Sequence, residues 1–324
     1  MLGVVALNMG GPDSLAAVQP FLRNLFADPD IIQLGWARPV QPLLAGFIAR
    51  RRAAFSRAAY AQIGGRSPIR EESTAQVQAV VAAMAAAGVG ARPYLAMSYW
   101  HPLPGEAAAA MQADGITQAL LLPLYPHRSR TTSGSAFRTI ESALKKTAIV
   151  TARIDGYATM AGYLDALVDR ITEAAGQLPE PERATAPVLF SAHGLPLDYI
   201  RRGDPYLDDI RATVAAVTRR LGLESRAHLA FQSRVGRRRW LGPTTEETLD
   251  GLAAAGHRAV VVVPISFTGE HVETLQEIDI VYRERAGAHG LTSLARARTV
   301  GCHPAFIAGL ADSLVAAARA RGWA

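Results

Sequence analysis

Short apolar runs alternate with longer amphipathic segments along this chain. Residues 3–7, 119–124, 187–190 and 259–263 are almost continuously apolar, too short for helices, and bounded by polar, Pro or Gly positions. Such runs predict strands covered on both faces, the environment of a parallel sheet. Between them, helical periodicity predicts helices near 73–86, 105–113, 157–175, 208–221, 245–254 and 304–320. Another is expected to run from a cap at Asp13 or Ser14 toward Leu25. The order implies an α/β fold, an open sheet with helices on both sides.

The pattern repeats weakly. Residues 97–126 run from a polar strand end through His101-Pro102, an acidic helix start at Glu106 and Gly115 to an apolar strand closed by Tyr125-Pro126. Residues 231–267 run from a polar strand end through Gly242-Pro243, an acidic helix start at Glu246 and Gly256 to an apolar strand closed by Pro264. We read this as an internal duplication of one α/β unit, although any two strand–helix–strand units share some of it. With 324 residues the chain exceeds the usual size of one core, which predicts two domains or two lobes.

In open α/β sheets, ligands sit beyond the carboxyl ends of the strands. The residues to examine are therefore 8–11, 125–132, 191–196 and 267–277. The turn Met9-Gly10-Gly11-Pro12 matches no phosphate-binding loop, and Pro12 lacks an N–H, so it reads as a close approach of backbone to a ligand or helix. His193 follows the strand at 187–190, fixed by Gly194 and Pro196; an imidazole there suits proton transfer or a borderline metal, against the commoner structural role. Phe267-Thr268-Gly269-Glu270-His271-Val272-Glu273-Thr274-Leu275-Gln276-Glu277 follows the most apolar strand. If a helix opens at Thr268 or Gly269, then Glu270, Glu273 and Glu277 share one face. That face is either a solvated acidic surface or a carboxylate ridge that relays protons or divalent metal. The spacing is not that of a closed zinc site, and Ser191 lacks a nucleophile elbow.

Composition narrows the classes. There are 34 basic and 28 acidic residues, a net charge of +6, but Lys145 and Lys146 are the only lysines and the arginines are scattered apart from Arg50–Arg51–Arg52 and Arg237–Arg238–Arg239. No nucleic-acid signature accompanies them, so no nucleic-acid partner is expected. The single cysteine, Cys302, excludes an internal disulfide framework and a cysteine-held iron–sulfur cluster. No basic leader precedes the first apolar run and no uncharged apolar stretch reaches 18 residues, so a cytoplasmic protein is expected, touching a membrane surface at most.

Taken together, Leu7-Asn8-Met9-Gly10-Gly11-Pro12, Phe47-Ile48-Ala49-Arg50-Arg51-Arg52, Ser67-Pro68-Ile69, Leu122-Pro123-Leu124-Tyr125-Pro126, Ser191-Ala192-His193-Gly194-Leu195-Pro196, Gly203-Asp204-Pro205-Tyr206, Phe231-Gln232-Ser233-Arg234-Val235-Gly236 and residues 267–279 resemble the ferrochelatase family in order and over nearly the whole chain. The resemblance implies two Rossmann-like lobes with parallel four-stranded sheets flanked by helices, at 1–152 and 153–295. A C-terminal segment at 296–324 would pack back on the first lobe, and a porphyrin cleft would lie between the lobes. It implies insertion of Fe²⁺ into protoporphyrin IX to give haem b with release of two protons, without ATP. His193 and Glu273 match the family's essential pair, expected to handle both proton and metal. Glu270, His271 and Glu277 match a proton or metal relay. Met9, Arg52, Tyr125 and Ser233 match porphyrin-binding positions, and an apolar, membrane-facing lip would span 31–52.

No tightly bound cofactor is implied; Fe²⁺ is a substrate. Arg130 falls where cluster-bearing members have a cysteine, so no [2Fe–2S] centre is expected. Ser98 stands where many members have an arginine, and Arg66 replaces a glycine of a Gly-Gly-Gly-Ser-Pro turn. A monomer is expected. The alternatives are insertion into coproporphyrin III, a non-catalytic porphyrin or haem carrier, a cobalt chelatase acting on a corrinoid precursor, and a nucleotide-dependent enzyme, which the missing phosphate loop argues against.

Overall fold

The computed structural model describes residues 1–31, 40–234 and 238–324. Residues 32–39 of the expected lip, Val235 and Gly236 of the motif at Phe231, and Arg237 lie outside the described residues. The chain divides into two compact units, Met1–Gly156 with Leu310–Ala324, and Tyr157–Gly309.

The first unit contains β1 (Leu2–Asn8), α1 (Val18–Ala27), α2 (Gln41–Gln62), α3 (Ile69–Ala86), β2 (Arg92–Met97), α4 (Pro104–Ala113), β3 (Gln118–Pro123), α5 (Ser133–Leu144) and β4 (Val150–Arg153). The strands form one parallel sheet in the order β2-β1-β3-β4. All seven residues of β1 are buried, so the apolar run needs no alternation. Val5, Leu7 and Leu121 pack against Met111 of α4 and Phe137 and Ile140 of α5 on one face of the sheet.

The second unit holds α6 (Ala161–Ala175), α7 (Glu180–Arg183), β5 (Val188–His193), α8 (Leu197–Arg201), α9 (Tyr206–Leu221), β6 (Ala227–Gln232), α10 (Thr245–Ala254), β7 (Ala259–Pro264), a π-helix (Glu273–Tyr282), α11 (Arg283–Ala288) and β8 (Ser293–Arg296). Its sheet is also parallel, in the order β6-β5-β7-β8. The two sheets thus repeat one strand order, as the likeness of 97–126 to 231–267 led us to expect. The last helix, α12 (Pro304–Ala320), begins in the second unit and ends in the first, where Arg319 donates to the Ala87 carbonyl at 3.1 Å.

Local sequence accounts for several boundaries. Thr244 caps α10: its hydroxyl accepts from Glu247 N–H at 3.1 Å, and the Glu247 carboxylate accepts from Thr244 N–H at 2.8 Å. A cap of this kind contributes about 1 kcal/mol. α1 starts at Val18, later than expected, because the Ser14 hydroxyl accepts from Ala17 N–H and closes a separate turn ahead of the helix. α6 starts at Ala161 rather than 157; Tyr157 instead joins Tyr163 and Phe306 in an aromatic cluster. α2 was not foreseen. It buries Ala45, Ala49 and Ala53 while Leu43, Phe47 and Phe55 stand exposed on its other side, which blurs the apolar periodicity.

The turn after β1 makes the close approach its sequence suggested. Gly10 has φ +82°, and a Cβ on Gly11 would lie 2.6 Å from Ser67, whose N–H donates to the Pro12 carbonyl at 2.8 Å.

Candidate active site

Every strand of the second sheet delivers a group at its carboxyl end. β5 ends in His193, β6 in Gln232 and β8 in Arg296, and the loop after β7 leads through Glu270 and His271 into the π-helix that begins at Glu273. Parallel strands carry all these ends to one edge of the sheet.

His193 is held from three directions. Its N–H donates to the Ser266 hydroxyl at 3.3 Å, its carbonyl accepts from the Tyr206 hydroxyl at 2.9 Å, and Tyr206 and Ser266 are themselves 2.8 Å apart. Ring Nδ1 lies 2.7 Å from the Gly194 carbonyl. A carbonyl only accepts, so this contact assigns the proton to Nδ1 and leaves Nε2 with its lone pair in the neutral ring. Nε2 faces Glu273 Oε1 at 3.7 Å, and the imidazole is 40 % exposed against 21 % for the carboxylate side chain.

Glu273 is the unsatisfied member. Its Oε2 is buried and has no hydrogen-bond partner; Nε2 of His271 lies 3.8 Å away. Burial raises its pKa above the ordinary carboxylate range, the Glu277 charge adds to the rise, and His193 opposes it. His271 is fully enclosed beside Phe267, ring centroids 4.2 Å apart, and neither ring nitrogen has a hydrogen-bond partner. Burial pushes its pKa down to about 3, against the pull of Glu270, so the ring is neutral.

The expected three-carboxylate face does not form. No helix opens at Thr268 or Gly269; helical turns begin at Val272 and continue as a ten-residue π-helix, leaving Glu270 in the preceding loop. Glu270 instead turns to Arg296, 3.0 Å away, and to the Thr299 N–H at 3.0 Å and the Thr274 hydroxyl at 2.6 Å. Burial acts to raise its pKa, but Arg296 and these hydrogen bonds hold it below the ordinary value. Glu277 is likewise engaged. It accepts from Ser233 N–H at 3.2 Å, Ser233 hydroxyl at 2.6 Å, Gln232 Nε2 at 3.1 Å and Tyr282 hydroxyl at 2.8 Å. Ser233 adopts φ +64°, and its one hydroxyl proton is used on Glu277.

Met9, Arg52 and Tyr125 belong to the first unit. Met9 follows β1; its N–H donates to Asn8 Oδ1 at 2.8 Å and its carbonyl accepts from Tyr99 N–H at 2.9 Å. Tyr125 follows β3 and packs against the core, where burial, and then the Asp28 charge, push its hydroxyl pKa up. Arg52 is half-buried on α2.

Sequence reasoning gave no role to Gln232, Tyr206, Ser266, Asp279 or Arg296. Gln232 is oriented by the Ser191 hydroxyl, which donates to its Oε1 at 2.7 Å; its Nε2 then donates to the Glu273 carbonyl at 3.1 Å. Gln232, Tyr206 and Asp279 lie within motifs noted above, whereas Ser266 and Arg296 lie outside them. Among the described residues, no group of three or more His, Cys, Asp or Glu side chains is arranged to hold a metal ion, and no helix is long and apolar enough to cross a membrane.

Two parallel four-stranded sheets of this kind define a chelatase fold. The structure of SirB from Bacillus subtilis with Fe³⁺ matches at a TM-score of 0.57 and 12% identity, over 99% of this chain and 98% of that one. CbiX, the terminal enzyme for biosynthesis of sirohaem in denitrifying bacteria, matches at 0.51 and 16% identity, over 97% and 99%. At such identities the likeness is one of fold. Sequence carries the assignment further. The family model described as ferrochelatase matches residues 1–318. A ferrochelatase of Geotalea daltonii is 43% identical over 95% of both chains, and one of Gloeobacter violaceus is 42% identical over 97% of both. The chain belongs to the ferrochelatase family. It is a porphyrin metal chelatase, an enzyme that inserts iron into a porphyrin.

Proposed function

We propose that His193 and Glu273 carry out the insertion step. A free porphyrin must lose two pyrrole protons as Fe²⁺ enters, and each proton needs an acceptor at the ring face. His193 Nε2, left basic by the Nδ1 contact to Gly194, takes the first proton. Glu273, whose pKa burial raises, accepts it across the 3.7 Å gap, which frees Nε2 to take the second; both are released to solvent after the metal has entered. The same imidazole and carboxylate suit transient contact with Fe²⁺, a borderline metal. His271 offers a neutral ring, with one nitrogen lone pair, beside them. Glu270 and Glu277 are saturated with donors, so we carry the proton path no further than Glu273 and assign those two residues the holding of its surroundings.

The observation that supports this reading most is the unpartnered Glu273 Oε2 beside two imidazoles. Its test is anaerobic turnover of Fe²⁺ and porphyrin without ATP by wild type, His193→Ala and Glu273→Gln, with porphyrin binding followed by fluorescence. Loss of turnover with retained binding supports the pair; near-normal rates in either variant refute it.

Protoporphyrin IX is the substrate we favour, giving haem b in a cytoplasmic, monomeric enzyme. The supporting feature is the apolar ridge of Leu43, Phe47 and Phe55 on α2, where Arg51 lies over the Phe47 ring at 5.6 Å. The apolar side chains fit a vinyl-bearing substrate better than a tetracarboxylate, and together with their basic neighbours they fit peripheral contact with an anionic membrane. Side-by-side turnover of protoporphyrin IX and coproporphyrin III decides the first point; sedimentation with anionic vesicles decides the second.

A further inference from the structure

Arg296 ends β8 with its side chain only 8 % exposed. Its guanidinium is shared between two carboxylates. Nε and Nη2 donate to Asp279 Oδ2 at 2.9 and 2.8 Å, while Nη1 donates to Glu270 Oε1 and Oε2 at 3.1 and 3.0 Å. Nη1 also reaches the Ala297 carbonyl at 3.3 Å. Glu270 stands in the loop that enters the π-helix and Asp279 in the body of that helix, so one planar cation ties entry and body together. Thr299 and Thr274 add their donors to the Glu270 end.

The position of this clamp gives it a consequence for chemistry. Glu273 is the first residue of the π-helix and lies between the two clamped carboxylates in sequence. The helix N-terminus has no side-chain cap of its own. Its rotation about its axis, and so the direction in which Glu273 leaves it, is set from outside. Gln232 holds one side, through the Glu273 carbonyl and the Glu277 carboxylate, and Arg296 holds the other. A fork that engages two acceptors at once fixes orientation in a way a point charge cannot.

We propose that Arg296 is a positioning residue for iron insertion: it touches neither metal nor porphyrin, and it fixes the π-helix so that the Glu273 carboxylate faces His193. The proposal rests on the reading of Glu273 and His193 as the working pair.

The experiment compares wild type, Arg296→Leu, Arg296→Lys, Asp279→Asn, Glu273→Gln and Glu273→Asp with anaerobic Fe²⁺ and porphyrin, rates being taken per folded molecule. Arg296→Leu should lower kcat roughly 10–100-fold, the usual cost of losing a group that orients a metal ligand, with the KM for porphyrin unchanged. Arg296→Lys should recover part of the rate. Arg296→Leu combined with Glu273→Asp should be no slower than the worse single variant, since both act through one carboxylate. Should Arg296→Leu fail to fold, Asp279→Asn, which weakens the helix arm of the clamp together with the 3.3 Å pair of Asp279 with Arg283, should show a smaller kcat loss of the same kind. An unchanged kcat in the folded variants, a parallel rise in porphyrin KM, or losses that multiply in the double variant would overturn the proposal. Full activity in Glu273→Gln would instead remove the working pair itself, whatever Arg296 does.

Discussion

Nε2 of His193 faces Oε1 of Glu273 at 3.7 Å, and the other nitrogen of that ring is tied to the Gly194 carbonyl. The second contact gives the first its meaning. With the proton on Nδ1, the nitrogen that faces the carboxylate is the one able to accept. Replacing His193 by Ala should therefore abolish insertion while porphyrin binding persists. Positioned acid–base help of this kind is worth about 10²–10⁴-fold in rate. Absorbance of the metallated product against quenching of bound porphyrin separates the two effects.

Ser233 allows a stability test that separates backbone from side chain. Its φ of +64° is costly for a residue with a Cβ, by about 1–2 kcal/mol, and its hydroxyl bond to Glu277 returns part of that. Ser233→Ala loses the bond and keeps the strain; Ser233→Gly loses the bond and relieves it. Urea unfolding should find the Gly variant the more stable by about 1 kcal/mol. Equal stabilities would mean that the backbone strain is absent.

Glu270 predicts an acid limb of known sign. Its pKa is lower in the fold than in the unfolded chain, where a glutamate titrates at about 4.3. Between those two values the unfolded chain binds the proton and the fold does not, so stability rises with pH there. The contribution is complete above the unfolded value and is lost as pH falls through the folded one. Glu270→Gln should cost about 3 kcal/mol at pH 7, as for breaking one partner of a buried ion pair. The gap to wild type should close only below the ordinary carboxylate range. Thermal unfolding from pH 7 to 3 reads it, and a gap that does not change with pH would show that the ion pair contributes nothing.

Gly162 predicts a stability defect without a chemical one. A Cβ there would lie 2.1 Å from the Ala305 carbonyl oxygen, at the start of α12. Backbone must move to admit it, at a cost of about 1–3 kcal/mol. Gly162→Ala should lower the melting temperature while kcat per folded molecule stays at the wild-type level, because no group of the His193–Glu273 site lies in that contact.

The central strands could be read directly. β1, β3, β5 and β7 are buried on both faces, so their sequences are continuous apolar runs. β4 and β8 are four residues long with mixed burial and leave little pattern, and neither was foreseen. His193 and Glu273 were also within reach, since His193 closes β5 and Glu273 stands in the segment that follows β7. Glu270 was misread because a spacing of three and seven implies a shared face only if an α-helix runs through it, and here the backbone stays open until Val272 and then widens to i→i+5 bonding.

What the sequence alone determined is the alternation of buried strands and covering helices, and hence the edge of each sheet at which chemistry gathers, because burial on two faces writes itself into consecutive residues. Tertiary structure decided which polar groups are spent on one another and which remain available. Arg296 meets Glu270 and Asp279, and Ser233 meets Glu277, across separations in the chain that no local pattern encodes. Oε2 of Glu273 keeps no hydrogen-bond partner, while the donors around Glu270 and Glu277 are already engaged.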